Sequence, residues 1–282
     1  MPIPTAAAIA ARRATFRELH ASGCFLLPNA WDAGSARYLE SQGFAAVAST
    51  SSGYAWTQAT EDSALSLDET LAHLRSLVAA TSLPVNADFV DGFGSTPGEV
   101  HSAVTRCLDT GVAGISIEDA YSSPSDAAAH TEPLRSIEEA AQRVAAARAA
   151  IDAAGADVLL VGRAENFIVG RPDIDDAIAR LRAYSAAGAD CLYAPGISNP
   201  EHIRAVVAAV APKPVNLLIG GASALSLKDV EALGVRRVSV GGALARVAWG
   251  ATMRAAQLLK EGNFAALAEA ASGNELNKIM RG

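Results

Sequence analysis

Short apolar runs of strand length recur eight times along this chain, and segments with helical character separate them. The runs span residues 24–28, 44–49, 83–88, 113–118, 157–162, 190–194, 214–219 and 236–240. Five of them follow a glycine that ends a helical pattern, and these glycines are Gly43, Gly111, Gly155, Gly188 and Gly234. A glycine there allows the left-handed conformation that turns a helix towards the next strand. Eight such units predict an α/β fold of the (β/α)8 TIM-barrel type, with an open doubly wound sheet of fewer strands as the alternative.

The chain is expected to form one domain over residues 1–282, because no linker, charge run or low-complexity tract divides it. The pattern predicts a helix near 243–260, which Gly262 follows, and a second helix near 264–272. Residues 243–282 are therefore interpreted as a C-terminal helical extension. It either packs on a partner subunit or decorates the same barrel.

Charge and cysteine usage restrict the possible partners. The formal net charge of -7 would repel polyanions, so nucleic acid is not an expected partner. Cys24, Cys107 and Cys191 form no CxxC motif, and we expect reduced, buried thiols in a cytoplasmic protein. Arginines interrupt the alanine-rich start before it reaches the length of a signal peptide or membrane span, so no membrane contact is expected.

Polar side chains cluster where the predicted strands end, which is where a barrel of this type carries its active site. In chain order these residues are Ser49, Thr50, Ser51, Asn86, Asp88, Glu118, Asp119, Arg163, Glu165, Tyr193, Asn216 and Ser239. A single carboxylate at a strand end is usually a cap or a salt bridge. Several acids, an arginine and a hydroxyl cluster on one rim are harder to explain that way, because charged groups that lose hydration must pair or bind something.

The physical interpretation is a site for a small anion. Arg163 and the hydroxyl cluster after the second strand would hold a carboxylate, and a divalent cation would lie between the substrate and the acids. Oxygen ligands without cysteine or histidine favour Mg2+ or Mn2+ over zinc. His20 and His73 fall within helical patterns and are expected at the surface. Gly220–Gly221 and Gly241–Gly242 leave open a phosphate site of the kind a sugar isomerase uses.

Several motifs, in order, carry a resemblance: PNAWDAGSA (28–36), NAD with GFG (86–94), ISIEDA (115–120), VGRAENF (161–167) and VSVGGALAR (238–246). Together they resemble the isocitrate lyase/phosphoenolpyruvate mutase superfamily over nearly the whole chain. The resemblance implies a modified (β/α)8 barrel with Mg2+ at its mouth, and bond making or breaking next to a 2-oxo acid. It also implies homodimers or homotetramers in which the last helix is exchanged between subunits.

The same resemblance implies roles for individual residues. The superfamily's metal region matches Asp62, Asp88 and Glu118, its 2-oxo acid carboxylate site matches Ser49, Thr50 and Ser51, and its substrate-binding arginine matches Arg163.

Two departures from the superfamily pattern bear on the reaction. Asn86 stands where an acid is common, which lowers the local negative charge and should weaken direct metal binding. The segment Tyr121 to Arg135 contains neither the lyases' catalytic cysteine nor the mutase's lysine. Isocitrate or methylisocitrate cleavage and phosphonate chemistry are therefore not expected.

Decarboxylation fits these departures best, because loss of CO2 needs an electron sink but no protein base to start it. We therefore predict a Mg2+-dependent carbon–carbon lyase, most simply a decarboxylase of an oxaloacetate-like acid. The predicted catalytic residues are Arg163, Glu118 and Tyr193. The predicted substrate-binding residues are Ser49, Thr50, Ser51, Asp88, Arg163, Glu165 and Asn216. The alternatives are a 2-oxo acid binding protein with little turnover, and a retro-aldol lyase with a different acid/base.

Overall fold

A computed structural model describes residues 4–62, 64–122 and 124–281. Its strands are β1 Phe25–Leu27, β2 Asn29–Ala30, β3 Val47–Ser49, β4 Val85–Asp88, β5 Gly114–Glu118, β6 Leu159–Arg163, β7 Cys191–Tyr193, β8 Val215–Leu218 and β9 Arg237–Ser239. Its helices are α1 Ala6–Leu19, α2 Ala33–Ser41, α3 Ser51–Thr57, α4 Leu67–Ala80, α5 Pro97–Leu108, α6 Pro124–Ala129, α7 Ile137–Ala153, α8 Ile174–Ala186, α9 Pro200–Val210, α10 Leu227–Ala232, α11 Ala243–Lys260 and α12 Gly273–Arg281, with a 3-10 helix at Ala265–Glu269.

The strands of the described chain form one parallel sheet in the order β1-β9-β8-β7-β6-β5-β4-β3-β2. Only Pro28 separates β1 from β2, and these two strands are the edges of the sheet. β1 falls within the first predicted run, which ends at Pro28, whereas β2 lies just beyond it and was not predicted. The strand is interrupted at Pro28 because proline has no N–H to donate to a neighbouring strand. β1 pairs with β9 and β2 pairs with β3, so the sheet is nearly closed into a barrel. The predicted TIM-type fold is confirmed.

The predicted helix-ending glycines adopt the expected backbone conformation. Gly111 has φ 86° and precedes β5, and Gly188 has φ 105° and precedes β7. The other three also have positive φ values. Gly111 and Gly188 follow the ends of α5 and α8 in the left-handed region, which residues with a side chain rarely adopt.

Asn29 ties the two edges of the sheet together. Its side-chain Nδ2 donates to the carbonyl of Ser49 at 2.7 Å, and its Oδ1 accepts from the backbone N–H groups of Val240 at 3.0 Å and Gly241 at 2.8 Å. The side chain is buried, so these bonds satisfy polar groups that little water reaches.

Replacing Asn29 with alanine is expected to lower the free energy of unfolding by about 2–4 kcal/mol, because it leaves the buried carbonyl of Ser49 and the partly buried N–H groups of Val240 and Gly241 without this partner. Asn29→Asp keeps the acceptor and loses only the donor to Ser49, so an intermediate loss is expected. Urea unfolding followed by circular dichroism measures both variants. Equal stability of the alanine variant and the parent would contradict the role of Asn29 in closing the barrel.

The N-terminal end of the barrel is closed by α1. Phe16 of α1 is fully buried in a cluster with inward-facing residues of the strands, including Leu27 and Val161. The larger apolar cluster lies between the sheet and the surrounding helices. The predicted site residues such as Glu118 and Arg163 lie at the opposite, C-terminal ends of their strands.

Two histidines correct the sequence-based expectation of surface positions. His20 and His73 are both buried, at 7% and 6% exposure. His20 follows α1, and its Nδ1 lies 2.7 Å from the carbonyl of Phe16. His73 stacks on the ring of Tyr54 with centroids 3.8 Å apart. A helical pattern does not show which face of a helix packs inwards when the residue concerned is neither clearly apolar nor charged.

The C-terminal extension differs in part from the prediction. α11 ends before Gly262 as expected, but residues 264–272 do not form an α-helix, and only the 3-10 helix and the later α12 follow. α12 packs on α2 of the same chain, where the Arg37 guanidinium donates to the carbonyl of Met280. Exchange of this helix between subunits stays a prediction. In the described part of the chain, no helix combines the length and apolarity needed to span a membrane.

Candidate active site

A cavity of about 330 Å³ opens at the C-terminal ends of the strands. Every residue predicted for the site lines it, from segments spread over most of the chain. These residues are Ser49, Thr50, Ser51, Asp62, Asp88, Glu118, Arg163, Glu165, Tyr193 and Asn216. Their convergence follows from the parallel sheet, because all strand ends meet on one rim.

Arg163 is the centre of a group that we call the carboxylate–arginine cluster, made of Arg163, Asp88, Glu118 and Glu165. Its Nη1 lies 3.0 Å from Glu118 Oε2 and 3.4 Å from Asp88 Oδ1, and its Nε donates to Glu165 Oε1. Glu118 and Arg163 are direct partners in the register of β5 and β6. The guanidinium also lies over the ring of Tyr193, 5.3 Å from its centroid.

Burial dominates the electrostatics of this cluster. It raises the pKa of Glu118 well above its usual value, and Arg163 offsets this only in part while Glu165 and Asp88 raise it further. Burial also raises the pKa of Glu165. For Arg163, burial lowers the pKa, but Glu118 and Glu165 outweigh it and the pKa is raised. Ionised, the cluster would hold two more negative charges than positive ones, so it favours binding a proton or a cation.

The predicted hydroxyl cluster holds a carboxylate of the protein itself. The backbone N–H of Ser51 donates to Asp88 Oδ2 at 2.9 Å, and the backbone N–H of Asp88 donates to Ser49 Oγ at 2.8 Å. Thr50 caps α3 by accepting from the N–H of Gly53. The segment therefore fixes Asp88, while the hydroxyl proton of Ser49 is still available to donate.

The remaining predicted residues occupy the mouth and the floor of the cavity. Asp62 lies at the mouth and is exposed, in the loop between α3 and α4. Tyr193 is buried at the end of β7, and Asn216 is buried within β8. Burial raises the pKa of Tyr193 to about 12, so the phenol is neutral at physiological pH.

Asp119 follows Glu118 directly but has a structural role. Its carboxylate accepts from the Tyr184 hydroxyl at 2.6 Å, from Arg180 Nη1 at 3.1 Å and from the backbone N–H of Glu165 at 2.8 Å. Neighbouring residues along an extended chain face opposite sides. That alternation separates Glu118, which lines the cavity, from Asp119, which supports the segment carrying Glu165.

Sequence reasoning missed Arg237, which lies fully buried in the floor of the cavity. Its Nε donates to Asn216 Oδ1 at 2.8 Å, and its Nη1 lies 3.3 Å from Asn86 Oδ1 and 3.4 Å from His20 Nε2. Strand alternation in β9 places Arg237 on the same face as Ser239, and that was the available signal. Asn86 thus faces a buried guanidinium. At this position a neutral amide, and not an acid, lies next to a buried cation.

The oxygen donors of the site suit the divalent cation that the sequence predicts. Among the described residues, no group of three or more histidine, cysteine or acidic side chains is arranged to hold a metal alone. Mg2+ usually keeps several waters and takes only one or two protein carboxylates. Asp88 and Glu118 supply two such oxygen donors in a cluster with excess negative charge, so the residues fit Mg2+ completed by water and substrate oxygens.

The backbone of the glycine pairs considered for phosphate is partly engaged in hydrogen bonds, and Gly241 and Gly242 also line the cavity. The N–H of Gly241 donates to Asn29, and the carbonyl of Gly220 accepts from Arg246. Gly242 precedes α11 without a side-chain cap. The glycines of this region thus take part in barrel closure and helix packing.

The chain is similar to several known proteins. A family model described as phosphoenolpyruvate phosphomutase matches residues 16–260. An oxaloacetate decarboxylase of Paraburkholderia xenovorans (strain LB400) is 30% identical over 258 residues, which are 90% of this chain and 83% of that protein. A Burkholderia cenocepacia J2315 protein of known structure, described only provisionally as a lyase/mutase, is 44% identical with a TM-score of 0.91 over 98% of both chains. A crystal structure of 2,3-dimethylmalate lyase is 26% identical with a TM-score of 0.81 over 97% of this chain and 91% of that one.

Proposed function

This chain belongs to the phosphoenolpyruvate phosphomutase family, within the isocitrate lyase/phosphoenolpyruvate mutase superfamily, and on that premise we propose that it is a Mg2+-dependent decarboxylase of a small oxaloacetate-like 2-oxo acid. The family consists of lyases and mutases, so the chain is an enzyme of that kind. The relative from Paraburkholderia xenovorans, named an oxaloacetate decarboxylase, supports this choice of reaction within the family.

The composition of the cavity wall carries the proposal. Its described lining offers carboxylates, hydroxyls, amides and two guanidinium groups, but no cysteine, histidine or lysine. Retro-aldol cleavage requires a base that takes a proton from a substrate hydroxyl, and the carboxylates of Glu118 and Glu165 are both held by Arg163. Decarboxylation requires no such base at the start. The bond to the departing carboxylate breaks, CO2 leaves, and the electron pair passes to the 2-oxo oxygen as an enolate.

The residues of the chain then have separate tasks. The ion pairs within the described residues engage Nε and Nη1 of Arg163, so Nη2 is the nitrogen that binds a substrate carboxylate. Ser49 donates its hydroxyl proton to the same end of the substrate, and Tyr193 and Asn216 fix the 2-oxo group from the cavity floor. Burial removes water from this region and strengthens each of these interactions.

The metal would be held by Asp88 and Glu118, with Asp62 at the mouth acting through water. When bound, Mg2+ supplies Lewis-acid stabilisation of the developing negative charge on oxygen.

The free cysteines suit a reducing compartment such as the cytoplasm. We expect a homodimer or homotetramer, because α11 exposes large apolar residues such as Val247 and Met253.

A decarboxylation assay tests the proposal. With Mg2+ and oxaloacetate, we expect the protein to form pyruvate faster than the non-enzymatic reaction does, as measured by 13C NMR. The controls are Mg2+ without protein and the Arg163→Ala variant. A panel of 2-oxo acids and alkylmalates extends the assay. Thermal stabilisation by these acids without turnover would instead support the binding protein, and cleavage of an alkylmalate would support the retro-aldol lyase.

A further inference from the structure

A second cavity, of about 530 Å³, adjoins the candidate active site. The two cavities have four residues of their walls in common, namely Ser51, Asp88, Val90 and Ser122. Asp88 belongs to the carboxylate–arginine cluster, so the shared wall lies beside the proposed substrate and metal. A molecule held by Arg163 therefore lies next to the second cavity.

The shared wall has an unusual backbone conformation at Val90. Its φ of 39° is in the left-handed region, which a β-branched residue rarely adopts. The carbonyl of Val90 accepts from the backbone N–H of Glu118 at 2.9 Å, and the following residue, Asp91, pairs with Arg135 at 2.8 Å. Phe93, in the wall of the second cavity, also has a positive φ, of 55°. Strain of this kind persists where the surroundings impose it and is concentrated at functional sites, so it favours a function for this wall.

Much of the wall of the second cavity is apolar. It includes Leu65 before α4, Leu67 at the start of α4, Phe93 between β4 and α5, and Ala103 within α5. These side chains are buried or half-buried. A hydrocarbon chain that enters such a cavity gains affinity because its apolar surface is removed from water.

The charged residues of the same wall are already engaged within the protein. Asp91 accepts from two buried arginines, at 2.8 and 3.3 Å, and Glu99 accepts from two backbone N–H groups ahead of α5. Arg106, the cation of the described wall, is paired with Asp68. A chain with a terminal carboxylate would face Asp91, Glu99 and Asp88, whereas a neutral chain would not be repelled. The wall therefore favours a neutral chain.

We propose that the second cavity is a subsite for an alkyl substituent on C3 of the oxaloacetate-like substrate. The subsite rests on the proposed function and deepens it. In the reaction the bond from C3 to the C4 carboxylate breaks and CO2 leaves. The electron pair passes to the 2-oxo oxygen as an enolate, which then takes a proton from water at C3. The product of a 3-alkyl oxaloacetate is thus a 2-oxoalkanoate, whose chain would lie against Leu65, Leu67 and Phe93.

The affinities of these products test the subsite without turnover. The probes are pyruvate, 2-oxobutanoate, 2-oxohexanoate and 2-oxooctanoate, which differ only in chain length, and isothermal titration calorimetry with saturating Mg2+ measures each Kd. We expect the affinity to rise by about fourfold for each methylene group that enters the cavity. 2-Oxoadipate has the length of 2-oxohexanoate but ends in a carboxylate, and it should bind more weakly than 2-oxohexanoate.

Two variants alter the wall of the second cavity. Ser102→Trp places a large ring at its exposed side, and Leu67→Asn replaces an apolar side chain by an amide of similar size. We expect each to lower the preference for 2-oxooctanoate over pyruvate by about tenfold, the contribution of roughly two methylene groups. Thr105→Trp is the matched control. Ser102 and Thr105 are both exposed residues of α5 whose hydroxyls donate to the carbonyl four residues earlier, but Thr105 is not part of the described wall.

Several outcomes would overturn the subsite while the decarboxylation of oxaloacetate stands. They are equal affinity of the parent protein for all four acids, a preference that neither wall variant lowers, and an equal loss in Thr105→Trp. Binding of 2-oxoadipate as tight as that of 2-oxohexanoate would overturn the choice of a neutral chain. If the parent protein neither decarboxylates oxaloacetate nor binds pyruvate, the proposed function itself is wrong and the subsite falls with it.

Discussion

Replacing Arg163 with alanine is expected to weaken the binding of oxaloacetate or oxalate by about 2–4 kcal/mol, which corresponds to roughly 30- to 1000-fold in Kd. The guanidinium is the only cation in contact with Asp88, Glu118 and Glu165 among the described residues of the cavity wall. Its removal deletes the partner of the substrate carboxylate and leaves three carboxylates facing one another. An anionic substrate would then enter a cavity of the same charge.

The same change should also lower stability, because a buried carboxylate left without its partner costs about 3–5 kcal/mol. Arg163→Lys separates the effect on stability from the effect on affinity. It keeps the positive charge but lacks the planar set of N–H donors of a guanidinium. We expect it to recover stability more than affinity. Arg171→Ala is the control, because Arg171 is an exposed arginine paired with Glu132 outside the cavity. Calorimetric titration of oxalate and thermal unfolding measure all three, and parent-like affinity in Arg163→Ala would show that the site is wrongly placed.

The barrel could be predicted from the sequence because its signals are local. Gly111 and Gly188 report a left-handed turn, and that requirement depends only on the backbone at those residues. Pro28 also acts locally and ends the first predicted run, but β2 beyond it has only two residues and is too short to show in the pattern. The region after α11 was less predictable, because alanine-rich segments near Phe264 favour several helical forms and tertiary packing decides between them.

The composition of the site was also predictable, whereas its internal pairing was not. Strand ends of a parallel sheet share one rim, and this rule brings Glu118 and Arg163 together. It does not show that the N–H of Ser51 is already bound to Asp88, nor that Arg237 lies beneath Asn216. Those contacts depend on the inward direction of single side chains and on the tilt of the strands, which a linear pattern leaves undefined.

Replacing Glu118 with glutamine is expected to lower the affinity for Mg2+ at least tenfold, since even indirect partners of a metal ligand contribute that much. Burial raises the pKa of Glu118, so the metal-free protein holds a proton there at pH values where an exposed glutamate has lost it. Mg2+ must displace this proton. Titration in two buffers with different ionisation enthalpies should therefore detect proton release in the parent protein and less in Glu118→Gln. Glu165→Gln is the control for affinity, because Glu165 is buried beside Arg163 but is not a predicted metal ligand.

The raised pKa of Glu118 also determines how the stability of the protein depends on pH. Between the ordinary pKa of a glutamate and the raised pKa of Glu118, the folded protein binds one proton more than the unfolded chain, so stability falls as the pH rises. Glu118→Gln removes this loss and keeps a side chain of the same shape. Without metal, we expect it to unfold at a higher temperature than the parent at pH 8, by roughly 2–4 °C for each kcal/mol, with a smaller difference at pH 5. A lower unfolding temperature of the variant at both pH values would mean that the ion pair of Glu118 with Arg163 outweighs the cost of burying Glu118. The carboxylate–arginine cluster would then lack the excess negative charge that favours a cation.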